Sequence, residues 1–465
     1  MFGDSTTNIV ESEQSEISED EVIIKEVKSS HLSEGSSLVN LIKSNIGTGM
    51  LSMPIVFMYT GIWLGIFLIL VAGIIATYAM YLLLKTTEEC CLENNLNRSK
   101  IDYTDAVFYV LKYGPPRLEK YKGKIKHIVN GFLIITQLGF CCVYIVFLSN
   151  NIMKMIEYYS PELNSSIYLI GFVVAVVLCP LSLVSNMKVF AVISALANLT
   201  TLIGMGLIFV YFFTMGFLDW TQLQKPMGFK EILIGFSIMV FAFEGISLVL
   251  PISGKMKNPK DFSHKDGVLV TGMTVVVLSN CILGFFGYLH FGKETPGSIT
   301  YSIPETPILF GFIKPLFIFS IFITYMLQFF VPAEIFSRLA LKIRFFREAS
   351  PQRQGYYLIL MRILLVLMTY GLSMTIPHID LLLSLIGSLC SSFLAIIIPP
   401  ALVIVQKWNT RMNIPNFNLK ILLPNISLII FGFFAFLFGT GATIIQIIQV
   451  YRTEAVQGID KNILG

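Results

Sequence analysis

The chain has 465 residues, of which 55% are hydrophobic and only 13% charged, with 38 phenylalanines and a mean hydropathy of +0.74. A soluble domain this apolar would expose large sticky patches, so the composition excludes one and describes a polytopic membrane protein. The net charge of +4 supplies no basic excess for nucleic acid, and the seven cysteines form no CxxC pair, zinc spacing or disulfide framework.

In chain order, residues 1–35 are polar and acidic, with a Glu/Ser run from Glu11 to Glu21. They have too little apolar content to fold alone and are expected to form a disordered cytosolic tail, a surface for regulatory partners. No basic segment followed by an apolar core begins the chain, so no cleavable leader is expected. The cluster Glu19-Asp20-Glu21-Val22-Ile23-Ile24 loosely resembles an acidic di-leucine sorting signal, although solvated tail is the commoner identity of such a cluster.

Hydropathy then predicts eleven apolar segments, at about 37–60, 62–84, 126–149, 167–184, 188–216, 231–251, 267–290, 308–337, 356–376, 379–404 and 421–450. They make one membrane domain over residues 36–450, and residues 451–465 are left as a short non-cytosolic tail. With the N-terminus in the cytosol, the inside loops hold 22 Lys/Arg and the outside segments six, which agrees with the positive-inside rule. Of four Asn-x-Ser/Thr sequons, this topology places only Asn164, between spans three and four, on the glycosylated side.

Span one carries Ser44-Asn-Ile-Gly-Thr-Gly-Met-Leu-Ser-Met-Pro54 within an apolar run long enough to cross a bilayer. Gly47 and Gly49 lower the cost of non-helical backbone, and Pro54 cannot donate an intrahelical hydrogen bond. Unwound backbone at membrane depth survives only inside protein or beside a cavity, which makes a broken helix a candidate binding site. The bland alternative is a close-packed small-residue helix interface. Span six, reading Phe241-Ala-Phe-Glu-Gly-Ile-Ser-Leu-Val-Leu-Pro251, repeats the pattern of glycine followed by proline. Spans one and six are five apart, where an inverted repeat of five plus five helices would make them partners, and paired interruptions at such positions point to a transport site.

These motifs, together with Thr136-Gln-Leu-Gly-Phe-Cys-Cys-Val-Tyr144, Lys255-Met-Lys-Asn-Pro259 and Gln328-Phe-Phe-Val-Pro-Ala-Glu334, resemble the proton-assisted amino acid transporters of the amino acid/auxin permease superfamily. The resemblance runs from about residue 36 to 450. It implies an all-α protein of eleven helices with the LeuT-like fold: an inverted repeat plus one extra helix, broken in helices one and six. It also implies symport of small neutral amino acids such as glycine, alanine and proline, with a proton as the co-transported ion and no resident cofactor or metal.

A zwitterionic amino acid needs donors for its carboxylate and acceptors for its ammonium. Free amides at Gly47, Thr48 and Gly49 suit the first, and carbonyls around Asn45–Ile46 and Ala242–Phe243 suit the second. Gly245 lets the ligand approach the backbone, and Phe243, with Phe241, is a candidate roof, although any one of the 38 phenylalanines is more often core or lipid-facing. Glu244 is the only ionisable residue between Ile232 and Pro251, and such groups near mid-membrane default to function; its structural alternative is a hydrogen-bonded acid that pins the turn. Tyr144, Gln137, Ser320, Thr324 and Gln328 are further lining candidates from spans three and eight, where polar side chains serve helix packing at least as often, and Lys43 and Glu334, nearer the cytosolic ends, fit snorkelling or capping.

The chain departs from the resemblance at two points. Family members carry a histidine linked with proton sensing five residues before the Asn-Ile-Gly-Thr-Gly run; Asn40 stands there, and an amide cannot titrate. The family's extracellular disulfide is absent, since 151–166 and 291–306 contain no cysteine. An enzyme is poorly supported, because the five histidines show no metal spacing and no dinucleotide loop occurs. A sensor with little flux and a sodium-coupled or uncoupled carrier are the alternatives to a proton symporter. The plasma membrane is the expected location, with the endosomal or lysosomal membrane as the alternative.

Overall fold

The computed structural model describes residues 33–163, 165–183, 187–256, 258–264, 266–342 and 350–464. The sorting-like cluster, nearly all of the acidic tail and Asn164 lie outside these residues. Nine described helices are long and apolar enough to cross a membrane: Ile62–Glu93, Lys122–Tyr159, Ile193–Met215, Phe229–Gly254, Val268–Glu294, Ile308–Ser337, Gln352–Thr375, Ile379–Lys407 and Asn418–Thr453. The shorter Ile167–Ser182 and the interrupted first segment, 34–60, account for the other two expected spans. Lipid offers a peptide group no hydrogen-bond partner, so apolar runs of this length resolve into helices that satisfy themselves.

Several helices outrun their hydropathy. Span two continues to Glu93 and span three covers 38 residues, from Lys122 to Tyr159. Hydropathy ends where the bilayer ends, but helical hydrogen bonding continues into water, where pairs such as Lys154 with Glu157 at 2.9 Å lie on the helix surface. The last helix likewise runs on to Leu464, beyond the expected end of its span. An unexpected helix, Tyr103–Lys112, forms in the basic loop after span two. Asp102 caps it by accepting from the Asp105 amide at 2.8 Å, and Tyr103 donates to the Leu394 carbonyl at 2.7 Å.

Burial sorts the spans into a centre and a rim. In the most apolar window of span ten 83% of residues are buried, against 17% in span eleven, so span ten is central and span eleven faces lipid. Span ten widens to a π-helix over Gly387–Ile397, just before Pro399 and Pro400, which lack amide donors. A side-chain carbon on Gly387 would lie 2.0 Å from the Ser237 carbonyl, so glycine permits the close crossing of spans six and ten. Spans one and seven run in the same direction, with Gly272 against Leu41, Gly284 against Met53 and Phe57, and Gly287 against Pro54. At the end of the bundle away from the Lys/Arg-rich loops, Lys314 and Glu305 form a buried ion pair at 2.6 Å.

Candidate functional site

Span one stops at Asn45 and restarts at Thr48, with Ile46 and Gly47 extended between the two halves. The Ile46 amide still reaches back to Ile42 and Lys43, and the next main-chain amide with a partner is Leu51, bonded to Gly47 at 3.4 Å. The amides of Gly47, Thr48, Gly49 and Met50 therefore have no acceptor among the described residues, and the carbonyls of Ser44, Asn45 and Ile46 have no donor. Span six breaks between Ala242 and Ile246. There Phe243 still bonds Met239, while Glu244 and Gly245 make only short-range bonds to Phe241 and Phe243.

The two breaks meet. A side-chain carbon on Gly49 would lie 2.9 Å from Ala242 Cα, and one on Gly245 would lie 2.5 Å from the side-chain nitrogen of Asn45. The glycines thus serve in different ways. Gly47 has ordinary extended torsions and open space around it, so it is Gly49 and Gly245 that the packing requires.

A cavity of about 880 Å³ opens beside the breaks. Asn40, Asn45, Ile46, Gly47, Thr48 and Gly49 line it from span one, and Glu244 from span six. Tyr144, Thr324 and Gln328 line it as expected, with Tyr144 and Gln328 facing each other, whereas Gln137 and Ser320 are off the wall, Ser320 bonding the Ala197 carbonyl of span five at 3.1 Å. Phe243 and Gly245 are not on the cavity wall: Phe243 is 1% exposed, and Phe241, packed on Phe140 at 4.8 Å, takes the aromatic position instead. Lys43, Asn198 and Lys255 also line the cavity; Lys43 was expected to snorkel or cap, and the other two were not among the site candidates. The signal for Lys43 was present, a cation half a turn before the break; its ammonium donates to the Ser194 carbonyl of span five at 3.0 Å.

Acceptors dominate the deep end. Glu244 is 5% exposed, and neither carboxyl oxygen has a partner among the described residues; the Asn45 side-chain oxygen is also buried and unpartnered. No group of three His, Cys, Asp or Glu that could hold a metal occurs among the described residues. The wall runs from Gly35 and Ser36, through the breaks, to Ile252 and Lys255, all at the end of the bundle where the positive-inside rule places the cytosol.

At the opposite end the Tyr59 hydroxyl of span one donates to Asp380 of span ten at 2.9 Å, and Asp380 abuts the loop at Gly297. A hydrogen bond to a carboxylate contributes about 1.5–3 kcal/mol when buried, so Tyr59→Phe should loosen this closure about tenfold. A cysteine introduced as Ser298→Cys, at a buried position beside Gly297, should then react several-fold faster with an impermeant thiol reagent applied outside. Equal rates would show that the bond does not hold the outer end shut.

Two interrupted helices meeting at a one-ended cavity, within a bundle of membrane-length helices, define a membrane transporter. The chain belongs to the transmembrane amino acid transporter family, whose model matches residues 30–445. It is 29% identical over 430 residues to the proton-coupled amino acid transporter-like protein pathetic of Drosophila melanogaster, covering 90% of this chain and 86% of that one. To the probable amino acid transporter skat-1 of Caenorhabditis elegans it is 23% identical over 429 residues, covering 89% and 90%. Among solved structures it is similar to a manganese transporter of Eremococcus coleocola bound to an aromatic bis-isothiourea compound, with a TM-score of 0.47, 14% identity, and coverage of 88% and 85%.

Proposed function

We propose that this protein is a secondary active symporter of small neutral amino acids, such as alanine, glycine or proline, at the plasma membrane. It works by alternating access around the breaks in spans one and six. The observation that carries this reading is the set of unpaired main-chain groups at the span-one break: amides at Gly47, Thr48 and Gly49, and carbonyls at Ser44, Asn45 and Ile46, bordering one cavity. The half-helix that begins at Thr48 directs its positive end at a carboxylate, and the carbonyls accept from an ammonium. Gly49 against Ala242 and Phe241 leaves little room beside the break, which favours a short side chain.

The cavity opens at one end while Tyr59 and Asp380 join at the other, an arrangement that suits an inward-open state. A proton is the co-transported ion of this reading. Uptake of labelled alanine into cells or proteoliposomes tests it, with an inward pH gradient and with sodium present or replaced. Accumulation driven by the pH gradient without sodium is the expected result. Binding without accumulation would make the protein a sensor, and strict dependence on sodium would replace the proton as the coupling ion.

A further inference from the structure

The end of the bundle where the positive-inside rule places the cytosol carries its charge unevenly. Residues 112–126 hold six of the 22 inside cations, Lys112, Arg117, Lys120, Lys122, Lys124 and Lys126, against one acid, Glu119. Lys122 pairs with Glu119 at 3.0 Å and Lys126 with Asp105 at 2.8 Å. Lys112, Arg117, Lys120 and Lys124 are exposed and have no carboxylate partner among the described residues. Aromatic rings hold two of these cations in place. Lys112 lies over Tyr109 and Tyr113, at 6.0 and 5.1 Å, and Lys120 over Tyr121 at 5.0 Å.

The loop after span ten joins the same surface. Asn409 donates to the Tyr113 carbonyl at 3.4 Å, and Gly114 sits against Val405. Beside that contact the Arg411 guanidinium lies over Trp408 at 5.0 Å. Apolar side chains stand exposed among the charges: Tyr113, Tyr121, Trp408 and, at 89%, Met412. At a bilayer surface Trp and Tyr settle at headgroup depth, so rings mixed with cations mark an interface. Span three is apolar from about residue 126, and at about 1.5 Å per residue Lys122 and Lys124 stand only about 3–6 Å beyond that edge. The positive-inside rule accounts for the sign of this end. It does not account for unpaired cations set beside exposed rings at headgroup level.

We infer that this surface, residues 112–124 together with 408–412, docks anionic phospholipid headgroups of the adjoining leaflet, of the phosphatidylserine type. The unpaired cations meet the headgroup anions, and the rings with Met412 rest in the interface. The cations are exposed rather than enclosed, so charge and not headgroup shape sets the preference. The inference is independent of the transport reading. Trp408 supplies a local readout, because the other two tryptophans, Trp63 and Trp220, pack on each other at 6.5 Å at the opposite end of the bundle. The full chain carrying Trp63→Phe and Trp220→Phe, in phosphatidylcholine nanodiscs, receives acyl-brominated phosphatidylserine or acyl-brominated phosphatidylcholine at equal mole fraction. The serine lipid should quench Trp408 about threefold more effectively, and about 0.5 M salt should shrink that ratio. Lys112→Gln, Arg117→Gln, Lys120→Gln and Lys124→Gln combined should bring the ratio close to one. Lys260→Gln with Arg353→Gln, exposed cations of the same end outside this surface, should leave it unchanged. Equal quenching by the two lipids before any cation is replaced, or a preference that survives the fourfold variant, would overturn the assignment. A preference that emerges only when residues 1–30 are removed would give the surface to that acidic segment, and the lipid assignment would fall.

Discussion

Gly49→Val should reduce amino acid uptake to below about a tenth of the natural rate while the protein still reaches the membrane. A single carbon on Gly49 would stand 2.9 Å from Ala242 Cα, 3.0 Å from Ala242 Cβ and 3.1 Å from Phe241, so two of the three contacts are with atoms that cannot rotate away. Overpacking of this kind costs about 1–3 kcal/mol, and here it would be relieved by prising the two breaks apart. Thr48→Leu should be as severe for a different reason: Thr48 is 1% exposed on the cavity wall, and a larger apolar side chain would fill substrate space. Gly47→Ala separates the two effects. Nothing lies within 4 Å of its added carbon, so the fold should tolerate it and any rise in KM would report occupancy of the cavity itself. Labelled-alanine uptake, normalised to surface protein, reads all three; normal uptake in Gly49→Val would dissociate the break from transport.

Glu244→Gln should flatten the dependence of uptake on external pH, and Asn40→His should steepen it. Glu244 is the buried carboxyl at the span-six break, with no partner on either oxygen among the described residues, whereas Asn40 lines the same cavity and cannot titrate. A carboxyl at this depth is far cheaper to carry neutral than ionised, unless a cation or a substrate ammonium sits beside it. If Glu244 carries the proton inward with a zwitterion, each cycle moves one positive charge. Alanine-induced current should therefore vanish in Glu244→Gln even where exchange of labelled substrate persists. Strong proton-driven accumulation in that variant would remove Glu244 from the role. Because Asn40 replaces the histidine expected from the family resemblance, the unmodified protein should respond to pH less steeply than a histidine-bearing relative measured in parallel.

Much of this protein was legible in the sequence because bilayer chemistry is local. Apolar runs of membrane length become helices wherever they occur, and the Gly–Thr–Gly and Phe–Glu–Gly interruptions mark breaks at both places where main-chain bonding does lapse. The cavity likewise contains Asn45 to Gly49, Glu244, Tyr144 and Gln328, all from the motifs, and Thr324, chosen as a polar residue of span eight, while Gln137 and Ser320, chosen with it, lie off the wall. What the sequence could not rank was orientation. Phe241 and Phe243 are equally apolar neighbours of one break; helical periodicity ends there, so only the folded break shows that Phe241 faces the cavity while Phe243 is sealed away. The requirement for Gly49 is a contact with Ala242, far along the chain, and no local torsion demands it. Helix formation and hydropathy depend on neighbours along the chain, whereas side-chain facing, close approach and unmet hydrogen bonds depend on neighbours in space, and those exist only once the bundle is packed.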